Sequence, residues 1–245
     1  MSGGTLAAAV SSAGGLGTFG AASAAVGSTG PGYIREQIQH IRSQTDKPFG
    51  VGFITHHLPD APQNFDVVVE EKVPVILFSF ADPRPWLSRA KESGAVTICQ
   101  VQTMEAARMV VAGGADILAA QGNEAGGHTG VQHLLPFLVQ VVDEFPDLPV
   151  VAAGGIGSGR SLAAVLAAGA EGAWMGTAFV ATQEDNEVPE AHKELIVRSN
   201  GEDTIHSQVS DPFRAPLLAF MYTWLLSSSG IGAMSPTSLV PRRIR

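Results

Sequence analysis

Residues 103–121 read TMEAARMVVAGGADILAAQ, and this stretch contains one complete helix-to-strand unit. Thr103 can cap a helix over 104–113, with Glu105 in its first turn near the positive end of the helix dipole. A glycine pair follows the helix, where glycine takes the left-handed conformation that ends it. The apolar run at 117–121 then predicts a short buried strand. The stretch therefore predicts an α/β fold.

The same glycine turn recurs along the chain, after helical stretches and before apolar ones. It occurs at 13–16, 93–96, 112–116 and 168–172. The helices predicted between these turns cover about 4–13, 32–45, 63–72, 84–93, 104–113, 132–145, 158–168 and 189–199. The predicted strands are 16–19, 49–54, 75–78, 96–100, 117–121, 150–153 and 172–175. Continuous apolar strands that alternate with helices are typical of a parallel sheet covered on its outer face.

Seven strands can be counted, and the chain begins within a helix. We therefore expect an α/β protein with a (β/α)8-type barrel that lacks its first strand. In this interpretation residues 1–210 form the barrel, and residues 211–245 are an atypical C-terminal tail that is not a separate domain. We expect the product of a truncated gene, in which two neighbouring strand edges lose their partner.

The composition indicates a soluble globular protein. Of the 245 residues 28 are glycine, 45% are hydrophobic and only 16% are charged, which excludes intrinsic disorder. A net charge of −8 and a pI of about 5.3 argue against a nucleic-acid partner. No apolar run reaches the ~18 residues of a membrane span, and the N-terminus lacks the pattern of a secretion signal. We expect a cytoplasmic protein without nucleic-acid or membrane partners, and a homodimer stays an open alternative.

The most informative segment is AAQGNEAGGHTG at 119–130, which begins at the end of a predicted strand. Its glycines let backbone N–H groups approach a flat or anionic ligand without an intervening Cβ. His128 adds a group that exchanges a proton near neutral pH. Because α/β folds build their sites at the carboxyl ends of strands, we interpret this segment, the histidine loop, as catalytic. The alternative is a glycine-rich turn with an exposed histidine.

Two further strand ends carry glycines. AAGGIGSGR at 152–160 and WMGT at 174–177 each run from a predicted strand into a predicted helix. Gly155 and Gly176 are 21 residues apart, enough for one helix and one strand, so the two strand ends should be neighbours. Backbone N–H groups at adjacent helix N-termini form a phosphate site, and barrels place one after their last two strands. The pattern predicts a phosphate-bearing ligand.

These segments carry a resemblance to a known family. The histidine loop, 152–155 and 175–177 look like the corresponding segments of the FMN-dependent nitronate monooxygenases, and GGTLAAAVSSAGGLG at 3–17 resembles their first segment. The similarity runs from about residue 3 to about residue 210. It implies a TIM barrel that binds FMN noncovalently and oxidises alkyl nitronates or nitroalkanes with O2, giving a carbonyl compound and nitrite.

The resemblance also implies roles for individual residues. It makes His128 the catalytic base, which agrees with the need to remove the α-proton of a neutral nitroalkane. It places the FMN-binding positions at Gln121, Gly126, Gly127, Gly154, Gly155, Trp174, Met175, Gly176 and Thr177. Gln100, which ends a predicted strand, faces the flavin in one of two open interpretations.

Other reactive side chains receive simpler interpretations. Cys99 lies within an apolar strand and is expected to be buried rather than nucleophilic. His56 and His57 follow the strand at 49–54 and could reach the mouth of the site, although exposed loop histidines are commoner. His40, His192 and His206 have no acidic or histidine partner at metal spacing, so no metal site is expected.

Three features depart from the family pattern, and two alternatives stay open. The strand before the opening helix is absent, GVGF at 50–53 stands where many members carry an asparagine, and the tail does not match. One alternative is a flavin-dependent enoyl-acyl-carrier-protein reductase, which shares a similar EAGGH loop, although Gln121 followed by Gly122 favours the monooxygenase. The other is a truncated, non-catalytic member of the family that binds flavin weakly or not at all.

Overall fold

The computed structural model describes residues 3–21, 30–202, 204–207 and 220–223. Of the predicted tail at 211–245, all but 220–223 lies outside the described residues. The prediction that this tail is not a separate domain therefore stays a prediction.

Helices and strands alternate along most of the chain. The first half contains α1 (Gly4–Ser12), β1 (Gly17–Gly20), α2 (Pro31–Gln44), β2 (Phe49–Ile54), a 3-10 helix (Thr55–Asp60), α3 (Pro62–Glu70), β3 (Val75–Ser79), α4 (Arg84–Glu92), β4 (Val96–Val101), α5 (Met104–Ala112) and β5 (Ile117–Gln121). The second half contains β6 (Gly127–Thr129), α6 (Leu134–Glu144), β7 (Val150–Ala153), α7 (Gly159–Ala167), β8 (Gly172–Trp174), α8 (Thr177–Val180), α9 (Glu190–Arg198), β9 (Ile205–Ser207) and β10 (Phe220–Thr223). Every predicted helix and strand is present within about two residues of its predicted bounds.

Seven strands form one parallel sheet, in the order β1-β2-β3-β4-β5-β7-β8. Each strand pairs with the next one in parallel register, which confirms the parallel sheet predicted from the apolar strands. The sheet is curled and its helices lie between consecutive strands, as in a TIM barrel. In this arrangement the carboxyl ends of all seven strands meet at one edge, where such folds carry their sites.

The helix ends follow the local sequence signals. The repeated turns place Gly14, Gly94, Gly114 and Gly169 in the left-handed region, at φ +92°, +88°, +85° and +96°. Thr103 caps α5 as predicted, because its side-chain oxygen accepts a hydrogen bond from the N–H of Ala106 at 3.1 Å. Within the described part of the chain, none of the helices combines the length and the apolar character needed to cross a membrane.

The apolar side chains form two layers, one on each face of the sheet. The outer layer packs the helices against the sheet and contains the largest buried side chains, among them Phe19, Phe65, Phe78, Phe137 and Leu118. The inner layer is smaller and consists of Val75, Leu77, Ile98 and Ala119, with Ile117, Val151 and Trp174 packed against it.

A second, small sheet was not predicted. It joins β6 in antiparallel pairing to β10, and β10 to β9. Met221 lies directly opposite His128 in this pairing. The sequence did not predict this sheet because β6 (GHT) and β9 (IHS) contain no continuous apolar run, and they are joined only through β10, far from β6 along the chain.

Candidate active site

The three glycine-bearing segments meet at the carboxyl edge of the sheet. Gln121 at the end of β5 lies opposite Ala153 on β7, and Ala153 lies opposite Trp174 on β8. The prediction that the strand ends before Gly155 and Gly176 are neighbours is therefore confirmed. The parallel register brings residues from three strands, distant in sequence, into one row.

The histidine loop lies across the end of β7. The N–H of Gly122 donates to the carbonyl of Ala153 at 2.9 Å, and a Cβ built on Gly154 would lie 2.9 Å from the backbone nitrogen of Ala125. On the other side, a Cβ on Gly126 would lie 3.3 Å from the Oγ1 of Thr177. The loop thus contacts both of the other segments, and the contact at Gly154 leaves no room for a Cβ unless the loop shifts.

Hydrogen bonds also connect the histidine loop to the segment at the start of α6. Both carboxylate oxygens of Glu124 accept from the N–H of Leu134, at 3.2 and 3.0 Å, which satisfies an amide at the start of α6. The N–H of Asn123 donates to the carbonyl of Gln132 at 2.8 Å. A glycine-rich loop would otherwise be mobile, and these bonds hold it in one conformation.

His128 lies on β6 and is half-buried. Its imidazole ring contacts the ring of Phe80, with the centroids 5.4 Å apart and the planes at 59°. Phe80 and Ala81 follow β3 and both have positive φ, +66° and +53°. Two successive non-glycine residues in this region are strained, and such strain concentrates at functional sites. The sequence analysis missed Phe80; its position just after a strand end was the one available signal.

Two hydrogen-bonded pairs of polar side chains lie near the same edge. Gln102, which directly follows β4, donates from Nε2 to the Oε1 of Gln121 at 2.5 Å. One layer lower, the hydroxyl of Ser79 donates to the Oε1 of Gln100 at 2.9 Å. Gln100 lies level with Ala119 of the inner layer, so its side chain is on the inner face, and its Nε2 is buried without a partner among the described residues. Whether Gln100 contacts a flavin stays a prediction.

The turn from β7 into α7 is closed by serines. Ser158 caps α7 and accepts from the N–H of Ser161 at 3.2 Å, while the Oγ of Ser161 accepts from the N–H groups of Gly157 and Ser158. Gly155, upstream of these bonds, is exposed and left-handed, at φ +66°. Gly176 is the N-cap of α8 and is also exposed. Two amides at this turn are thus engaged within the chain, so Gly155 and the start of α8 are the better candidates for an anion.

The remaining reactive side chains are two histidines and a cysteine. Whether His56 and His57, which follow β2, reach the mouth of the site stays a prediction. The rings of His56 and His57 contact each other in the 3-10 helix after β2, with centroids 4.2 Å apart. Cys99 is buried in the outer layer, as expected, and its burial, with the negative charge of Asp116, raises the pKa of the thiol to about 12. A thiol with such a pKa is not a nucleophile at neutral pH.

Known proteins resemble this chain over most of its length. The family model for nitronate monooxygenase matches residues 1–62 and 55–223. The chain is 39% identical over 211 residues to a (3aS,4S,5R,7aS)-5-hydroxy-7a-methyl-1-oxo-octahydro-1H-indene-4-carboxyl-CoA dehydrogenase of Rhodococcus jostii (strain RHA1), which covers 86% of this chain and 58% of the relative. The chain thus spans somewhat more than half the length of that relative.

Two solved structures share both fold and sequence. FabK from Thermotoga maritima superposes with a TM-score of 0.78 at 41% identity, over 85% of this chain and 64% of that chain. A nitroalkane oxidase from Streptomyces ansochromogenes superposes with a TM-score of 0.69 at 37% identity, over 78% and 66%. Together with the family match, these similarities establish the ancestry. The chain belongs to the nitronate monooxygenase family, whose members are flavin-dependent oxidoreductases.

Proposed function

We propose that this chain binds FMN and oxidises alkyl nitronates with O2 to a carbonyl compound and nitrite, and that it accepts neutral nitroalkanes after His128 removes their α-proton. One observation carries the proposal. The loop of His128, the turn at 153–155 and the start of α8 form a continuous backbone surface at the carboxyl ends of β5, β7 and β8.

The residues of this surface fit a flavin mononucleotide. Gly154 and Gly155 have positive φ, and the histidine loop occupies the space where their Cβ atoms would lie. Gly155 is exposed, so an anionic group can bind directly to its backbone. Gly155 with Gly176 and Thr177 would hold the phosphate. Gly176 and Thr177 lie at the start of α8, and Gly155 exposes its backbone in the turn before α7. Gln121 would donate to polar atoms of the ring system. The remaining proposed contacts flank these positions and are Gly126, Gly127, Trp174 and Met175.

In the proposed reaction, the cofactor and two side chains have separate roles. FMN, when bound, supplies the electron transfer and the chemistry with O2. His128 accepts a proton from the substrate carbon, and a histidine suits this because its pKa is ordinarily near neutral. The ring of Phe80 against the imidazole limits the orientations of His128 and presents an apolar wall to the alkyl part of the substrate.

The variant His128→Asn tests the proton transfer. We expect it to keep FMN and to lose turnover of a neutral nitroalkane by about 10²–10⁴-fold, the usual contribution of a general base. Turnover of a pre-formed nitronate should fall much less, because that substrate has already lost its proton. Oxygen consumption and nitrite release measure both rates. His192→Asn, an exposed histidine on α9, is the control and should change neither. Equal losses on both substrates would show that His128 is not the base.

A second candidate function is a flavin-dependent reduction or dehydrogenation of an acyl thioester. It is favoured by the 39% identity to the indene-4-carboxyl-CoA dehydrogenase of Rhodococcus jostii named above, and by the EAGGH loop that enoyl-acyl-carrier-protein reductases also carry. Anaerobic mixing with NADH separates the reductase from the monooxygenase: rapid bleaching of the flavin favours the reductase, whereas a flavin that stays oxidised contradicts it.

The colour of the purified protein tests the third alternative, a non-catalytic chain. A stoichiometric yellow FMN spectrum supports an enzyme. A colourless protein that FMN cannot reconstitute would contradict the proposed function.

A further inference from the structure

Gln102 occupies a fixed place between β4 and α5 at the carboxyl edge of the sheet. On one side, Val101 pairs with Ala120 of β5. On the other, Thr103 caps α5 through its bond from the N–H of Ala106. The backbone of Gln102 is therefore held by a sheet and by a helix cap, and its half-buried side chain projects from a rigid base.

The side-chain amide of Gln102 joins both ends of the histidine loop. Its Nε2 donates to the Oε1 of Gln121 at 2.5 Å and to the backbone carbonyl of His128 at 3.2 Å. A carboxamide nitrogen carries two hydrogens, so both bonds can form together. The loop also packs directly on this residue, because a Cβ on Gly130 would lie 3.0 Å from the Cβ of Gln102.

The polarity of this arrangement matters more than its shape. Both acceptors are oxygens, so only the NH2 end of the Gln102 amide can face them. Since the Oε1 of Gln121 then accepts from Gln102, the Nε2 of Gln121 is turned away from it. Gln121 is only 7% exposed, so water cannot readily compensate an amide turned the wrong way.

We propose that Gln102 is a positioning residue: it sets the donor face that Gln121 presents to the cofactor, and it holds the strand of His128 at the edge of the site. Gln102 acts through these two residues and touches neither substrate nor cofactor. The inference rests on the proposed function, in which Gln121 contacts FMN and His128 is the base.

Gln102→Glu tests the polarity with almost no change in shape. Its carboxylate would face two oxygens, so the Gln121 amide must rotate and present its oxygen to the cofactor. We expect the FMN Kd to rise at least about tenfold, the visible flavin band to shift, and amide hydrogen exchange over 122–130 to quicken in flavin-free protein. Acidification from about pH 8 to about pH 5 should partly restore FMN affinity, because a protonated carboxyl donates one bond. The wild type measured in parallel should not show this recovery.

Two further variants complete the test. Gln102→Met removes both hydrogen bonds without adding charge; it should quicken exchange over 122–130 equally and weaken FMN by only about two- to fivefold, since no oxygen then opposes Gln121. Gln140→Glu is the matched control. Gln140 is an exposed glutamine on α6 whose Nε2 also donates to a backbone carbonyl, that of Pro136 at 3.1 Å, and its replacement should change neither measurement.

The outcomes separate this inference from the proposed function. A folded Gln102→Glu protein with the FMN Kd and the exchange rates of the wild type would overturn the inference. If Gln102→Glu does not fold, Gln102→Met decides on the same measurements. If the wild type binds no FMN, the proposed function fails, and exchange over 122–130 in the flavin-free variants still decides whether Gln102 holds the strand of His128.

Discussion

Replacing Gly154 by alanine should both destabilise the chain and weaken its hold on FMN. Gly154 has φ +117°. A residue with a Cβ is destabilised by about 1–2 kcal/mol or more at such a positive φ. The new Cβ would lie 2.9 Å from the nitrogen of Ala125 and 3.2 Å from the carbonyl oxygen of Gly122, and relieving such overpacking costs about 1–3 kcal/mol more. In the opposite direction, alanine lowers the conformational entropy of the unfolded chain, which stabilises the folded state by about 0.4–1 kcal/mol. The free energy of unfolding should therefore fall by about 1–5 kcal/mol.

Gly157, three positions further along the chain, supplies the control for this prediction. Gly157 lies in the same glycine-rich turn, is exposed, and has nothing within 4 Å of an added Cβ. Gly157→Ala should stay within about 0.5 kcal/mol of the wild type. Urea unfolding measures the stability of both variants, and quenching of FMN fluorescence measures the Kd. If about 1.4 kcal/mol of the strain is relieved by displacing the histidine loop, the Kd of Gly154→Ala rises about tenfold. Equal stability and equal Kd in the two variants would refute the argument.

Two more predictions concern strain and charge. Ala81→Gly should raise the free energy of unfolding by up to about 1 kcal/mol, because it relieves a positive φ of +53°. Ala164→Gly, on the exposed face of α7, should lower it by about 1 kcal/mol. Thermal unfolding of the two variants checks both signs. Burial opposes the ionisation of Asp116, yet the hydrogen bonds from Thr97 and the ammonium group of Lys91 together outweigh it and hold the pKa of that carboxyl below its ordinary value. A lowered pKa stabilises the fold above the unfolded-state pKa and stops doing so as the pH falls through the folded-state value. Thr97→Val should therefore lower the free energy of unfolding by about 1–3 kcal/mol at neutral pH and by less below about pH 4. Urea unfolding at both pH values measures this, and equal losses of stability would contradict it.

Much of the fold was predictable because its signals are local. A helix capped by Thr103 and closed by a glycine turn depends on contacts within a few residues, and so does a short apolar strand after it. The adjacency of Gly155 and Gly176 was predictable as well, because one helix fits between their strands and parallel strands end at the same edge. For the candidate site, the sequence indicated which loops take part.

The relations between those loops depend on contacts that no local pattern encodes. Phe80 meets His128 across 48 positions of sequence, from a backbone conformation that aromatic residues rarely adopt. The polarity of the bond between Gln102 and Gln121 arises only when β4 and β5 align in register.

By itself, the sequence determined the alternation of helices and strands and the glycines that leave backbone bare. The tertiary structure alone decided which side chain faces which, because a curled sheet brings together groups whose separation along the chain carries no information about their distance in space.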